Sequence, residues 1–109
     1  MKIQSGGQLH FDSFGLLIVH GSEVLQNDGL IHLGSGTVIF RNNITFQNGG
    51  SFDAGSGTMY FQGVLWDNKS GSEFLPGTST VILEGSNDQT IKINPSLNLQ
   101  FYNLQLLTE

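Results

Sequence analysis

The chain has 109 residues, enough for one domain or for a slice of a longer array, with 15 glycines against two prolines. Charged residues make up only 12%, and four Lys/Arg against nine Asp/Glu leave a formal net charge of −5. That balance argues against nucleic acid and anionic membranes as partners, because both are bound largely through basic patches, and the absence of cysteine removes any disulfide or thiolate chemistry.

The first residues, Met1 to Gly7, contain no apolar run of signal-peptide length, and no stretch of the chain approaches a membrane span. The expectation is therefore a cytosolic protein or a mature fragment behind an added Met1, and the second fits the repeats better. These begin at Gly7-Gln8-Leu9-His10-Phe11-Asp12, continuing through Gly15-Leu16-Leu17-Ile18-Val19. The pattern returns as Gly29-Leu30-Ile31-His32-Leu33-Gly34-Ser35-Gly36-Thr37-Val38-Ile39-Phe40. It recurs 21 residues later as Gly50-Ser51-Phe52-Asp53-Ala54-Gly55-Ser56-Gly57-Thr58-Met59-Tyr60-Phe61, and more loosely in Gly77-Thr78-Ser79-Thr80-Val81-Ile82-Leu83. A fixed spacing of this size marks one structural unit stacked on itself.

Within a copy the apolar period is two, as in strands. Ile31 and Leu33 oppose His32; Val38 and Phe40 oppose Thr37 and Ile39; Ile44 and Phe46 oppose Thr45. Gly-rich and Asn-rich corners separate these three short segments, and no helical period is sustained. A strand of three or four residues buries too little alone, so each must pair with its equivalent in the next copy. The reading is an all-β fold, a parallel β-helix or β-solenoid with three short strands per coil. It forms a single domain over residues 1–109, a fragment or repeat unit of a longer array. About five coils of 21–22 residues give a stack roughly 25 Å long. An antiparallel sandwich is the rival, but its strands vary in length and lack this identity of corners.

The expected interior columns are Val19, Phe40, Phe61 and Leu83, beside Leu17, Val38, Met59 and Val81. A third holds Ile31, Phe52 and Phe74, the last requiring one coil to lengthen from 21 to 22 residues. A fourth runs through Ile44, Val64 and Ile91.

The string Ser79-Thr80-Val81-Ile82-Leu83-Glu84-Gly85, then Gln89-Thr90-Ile91, then Phe101-Tyr102-Asn103-Leu104-Gln105-Leu106 follows Phe52 to Phe61 in order. It resembles the β-solenoid repeats of large cell-surface and secreted, adhesin-like proteins of Bacteroidota, over residues 29–107. The resemblance implies a right-handed parallel β-helix, export to the cell surface or medium, and a role in adhesion or surface structure. It implies no catalytic residues. An export signal and a C-terminal sorting domain, which such proteins carry, are not evident in this sequence.

Parallel β-helices also host polysaccharide lyases and hydrolases, whose sites need clustered carboxylates beside Arg or Lys. Here Asp12, Glu23, Asp28, Asp53, Asp67, Glu73, Glu84, Asp88 and Glu109 are spread around the coil, and Arg41, Lys69 and Lys92 occupy different corners. The expectation is no enzyme and no cofactor. His10, His32 and Asp53 share a phase and would form an outward column close enough for two to share a metal ion; an ordinary polar column is the simpler reading. His20 has no evident partner. Thr37, Thr58 and Thr80 form a rank read as corner hydrogen bonding rather than an ice-binding face. Asn42, Asn43, Asn48, Asn68, Asn87 and Asn103 are read as corner residues, with Asn43-Ile44-Thr45 and Asn68-Lys69-Ser70 matching a glycosylation pattern.

Ile18, Ile39, Tyr60 and Ile82 lie between inward residues and form an outward apolar column, a candidate contact surface. Tyr60, Trp66 and Tyr102 are candidates for stacking on sugar rings, Trp66 only if it is not interior. Two classes of function stay open. One is a structural and adhesive repeat of a surface protein, joined end to end to neighbouring repeats or to copies of itself, with glycans or cell-surface proteins as further partners. The other is a carbohydrate-binding or polysaccharide-active module. The segment from Leu97 to Leu106 reads as further alternating strand, so the last coil is expected to lack a lid.

Overall fold

The computed structural model describes residues 2–11, 15–19, 24–41, 44–85, 88–94 and 99–107. The first coil comprises β1 (Lys2–Ile3), β2 (Gln8–His10) and β3 (Leu16–Val19), the second β4 (Val24–Asn27), β5 (Leu30–His32) and β6 (Thr37–Phe40). The third comprises β7 (Thr45–Asn48), β8 (Ser51–Asp53) and β9 (Thr58–Phe61), the fourth β10 (Leu65–Asn68), β11 (Glu73–Leu75) and β12 (Thr80–Leu83). A fifth, incomplete coil contributes β13 (Thr90–Ile93) and β14 (Asn103–Leu106). The protein is thus a β-solenoid of four full coils, one fewer than the sequence spacing suggests, because the last repeat supplies two of three strands among the described residues.

Equivalent strands stack into three sheets, in the orders β1-β4-β7-β10-β13, β2-β5-β8-β11 and β3-β6-β9-β12-β14, which we call sheets A, B and C. Every pairing is parallel. Alternation decides which side chains enter: Val38 and Phe40 are buried while Thr37 and Ile39 between them are half-exposed. The columns Leu17-Val38-Met59-Val81 and Val19-Phe40-Phe61-Leu83 are in register in sheet C, as is Ile31-Phe52-Phe74 in sheet B. These follow the expected phase.

The fourth column differs. Ile91 faces Trp66, not Val64, and extends the column Leu25-Phe46-Trp66. The cause lies in the corners. Ile44 and Val64 each stand one residue before their strands, the Val64 amide donating to Ile44 O at 3.0 Å. Three residues separate β9 from β10 but six separate β12 from β13, so Ile91 falls inside its strand instead of just before it.

Aromatic rings fill the interior. Phe40 and Phe46 stack with centroids 4.9 Å apart, and Trp66 has Phe46, Phe61, Phe74 and Phe101 around it at 5.3–6.1 Å. The B-to-C corners repeat one turn, closed by Gly36 N–H to Leu33 O, Gly57 N–H to Ala54 O and Ser79 N–H to Pro76 O, each 2.9 Å. Gly34, Gly55 and Gly77 occupy its left-handed position, with φ of 61°, 55° and 52°. A Cβ on Gly55 would lie 2.5 Å from the Gly34 carbonyl oxygen of the coil beside it, so backbone approach as well as φ demands glycine there.

Candidate functional site

Outside the core, the side chains that the sequence singles out fall into three groups. The first is the column on the outer face of sheet B. His10 faces His32 and His32 faces Asp53 across successive rungs. The imidazoles are 5.4 Å apart, as stacking at strand spacing requires. His32 Nδ1 lies 3.0 Å from Asp53 Oδ2, and Asp53 Oδ1 accepts the Gly55 N–H at 3.1 Å. His10 Nε2 is 2.7 Å from Gln8 Oε1. The next rung in the Asp53 column is Leu75, and among the described residues no three His, Cys, Asp or Glu side chains converge on one point. The arrangement is a polar ladder on an exposed face. His20, Asp12 and Glu23 lie outside the described residues, as do Glu109, Asn42, Asn43 and Asn87.

The second group is the outer face of sheet C. Ile18, Ile39, Tyr60 and Ile82 stand on successive rungs in register. Their exposure is graded: Ile18 is 38% exposed, Ile39 and Tyr60 are half-buried, and Ile82 is 8% exposed. Ile82, flanked by Tyr60 on one rung and Gln105 of β14 on the next, therefore offers almost no free surface, contrary to a uniform outward apolar column. The Thr37-Thr58-Thr80 rank is also in register, bounded by Leu16 and Asn103.

Trp66 is withdrawn from the sugar-stacking set. It is fully buried, its ring packed among four phenylalanines, because β10 turns it inward on the Phe46 rung. Among the described residues its Nε1 has no hydrogen-bond partner, so ring packing must offset that desolvation. Tyr102 remains at the surface, 61% exposed, beside the start of β14.

The third group was not legible as a group in the sequence. Asn27, Asn48 and Asn68 form an inward-facing, fully buried rank at the ends of β4, β7 and β10. Asn27 Nδ2 donates to Asn48 Oδ1 at 3.0 Å and to Ser51 O at 2.9 Å, Asn48 Nδ2 to Glu73 O at 2.9 Å, and Asn68 Nδ2 to Lys92 O at 3.3 Å. These amides satisfy backbone carbonyls where the chain leaves sheet A, which an apolar side chain cannot do. The corner reading of Asn48 and Asn68 thus becomes an interior one, and a buried, bonded Asn68 amide is no glycan acceptor. The recurring Gln26-Asn27, Gln47-Asn48 and Asp67-Asn68 pairs were the available signal. Asp67 is also buried, its carboxylate 2.7 Å from Lys69 Nζ.

The last coil shows what none of the others do. Leu104 and Leu106 occupy the inward phase of sheet C, facing Val81 and Leu83, yet they are 45% and 68% exposed. Ile93, facing the buried Asn68, is exposed as well. The expected strand is present over Asn103–Leu106; Leu97 and Asn98 lie outside the described residues. No helix among the described residues is long and apolar enough to cross a membrane. No family model matches this chain, and neither does any curated protein or solved structure, so the functional reading rests on its own residues.

Proposed function

We propose that this chain is a non-catalytic structural and adhesive unit of a surface or secreted protein, supplying rigid length and joining further coils at its end. The observation that carries this is the open last coil, where core-phase Leu104 and Leu106 face solvent. A stack whose interior is continuous and aromatic, and whose terminal layer is apolar, is built to be extended. The distribution of charge supports the same reading. The buried carboxylate of Asp67 is paired with Lys69, and Asp53 with His32, so both are held in structural contacts rather than set around an open cleft. Export, the absence of a cofactor, and partners that exclude nucleic acid and bilayer insertion belong to the same proposal.

A carbohydrate-binding reading rests on the exposed Tyr102 and the half-buried Tyr60. The test is a glycan array and an acidic-polysaccharide cleavage assay with the intact domain. Neither binding nor cleavage is expected. Glycan binding lost in Tyr102→Ala, or cleavage lost on removing one carboxylate, would overturn the structural reading.

A further inference from the structure

We infer that the occupant of the open end is the first coil of a second copy of this chain, seated head to tail in the register of the internal coils. This deepens the structural reading above and rests on it. β13 and β14 end sheets A and C on one side, and β1 and β3 end them on the other. All strands run parallel, so a copy displaced along the stack presents β3 to the free edge of β14 with the polarity that β6 already presents to β3.

Across that joint the described inward pairs of sheets A and C match apolar groups, while sheet B ends one rung earlier, at β11. Leu104 meets Leu17, Leu106 meets Val19 and Ile93 meets Ile3, all inward-phase residues. The last of these pairs is the most telling. At that position the coils between carry buried Asn27, Asn48 and Asn68, whereas both terminal coils carry isoleucine. Each end therefore resembles the other rather than the interior, and the two isoleucines complement one another.

One column opposes the joint. Lys2 heads the rank Gln26, Gln47, Asp67 and Lys92, so Lys92 of one copy would stand beside Lys2 of the next. Like charges on neighbouring strands repel, so association should strengthen with added salt. The contact is heterologous and does not close, so it gives open chains of growing length rather than a defined dimer.

Outward Gln105 and Ile18 become neighbours across the joint, and the chain has no cysteine of its own. The double variant Ile18→Cys/Gln105→Cys, oxidised in solution, is expected to give a ladder of disulfide-linked dimers, trimers and higher species. Each single variant should give none, and adding Leu106→Arg should abolish the ladder while circular dichroism stays unchanged. Lys2→Glu should lower the concentration for half-association about three- to tenfold at low salt, in light scattering of the cysteine-free chain. Dimers from Gln105→Cys alone would mean tail-to-tail contact and overturn the inference. So would a ladder indifferent to Leu106→Arg, or a monomer at all concentrations. A strictly monomeric chain that binds no glycan would leave the structural reading standing.

Discussion

Replacing Asn48 tests whether the buried amide rank holds the coils together. Asn48 accepts one hydrogen bond from Asn27 and donates one to the Glu73 carbonyl, and it is wholly buried. In Asn48→Ala the Asn27 amide keeps its bond to Ser51 O, but Glu73 O loses this donor and the carboxamide leaves a void. Two bonds at about 1 kcal/mol each plus the void term put the loss at roughly 2–4 kcal/mol. For a domain of this size that is a melting-temperature drop of about 10–25 °C. Asn48→Asp should cost more, because a carboxylate sets acceptor against acceptor at the Glu73 carbonyl and adds a charge to the interior. Urea unfolding followed by circular dichroism measures both. Asn48→Ala within about 0.5 kcal/mol of the parent, or Asn48→Asp as stable as Asn48→Ala, would refute the reasoning.

Three further outcomes follow from packing. Gly55→Ala should cost more than about 2 kcal/mol, since a left-handed φ and the Gly34 carbonyl both oppose a Cβ, whereas Gly71→Ala, also left-handed but with nothing within 4 Å, should cost about 1 kcal/mol; equal losses in urea titration would discount the backbone approach. Phe61→Asp, placing a charge between Phe40 and Leu83, should unfold most of the domain at room temperature, and parent-like thermal melting would contradict the assigned phase. His32→Ala should shift stability by less than about 1 kcal/mol, because its pair with Asp53 is more than a third open to solvent on average; a larger loss, or zinc binding at one equivalent that this variant removes, would show that the column does more than line a surface.

Much of the fold was legible because its determinants are local. The alternation of Val38 and Phe40 with Thr37 and Ile39 states which side chains turn inward, and the recurrence of Gly34, Gly55 and Gly77 marks the corners without reference to the rest of the molecule. The pairing of Phe40 with Phe61, and of His32 with Asp53, follows from the 21-residue spacing where the coil keeps its length. Less of the candidate surface was legible. An outward phase made Ile82 look as open as Ile18, but alternation gives a direction and not the cover that surrounding side chains supply. Trp66 alternates inward with Phe46, yet only the ring of surrounding phenylalanines shows that it is wholly enclosed. Ile91 left its expected column because the corner before β13 is three residues longer than the corner before β10, and alternation names a face without naming the partner on it. Asn27, Asn48 and Asn68 look like turn formers in sequence, and only the closure of the coil brings their amides onto carbonyls more than twenty residues away. The open end is likewise a property of stacking: Leu104 and Leu106 carry the same inward pattern as Val81 and Leu83, and differ in having no further strand beyond them among the described residues.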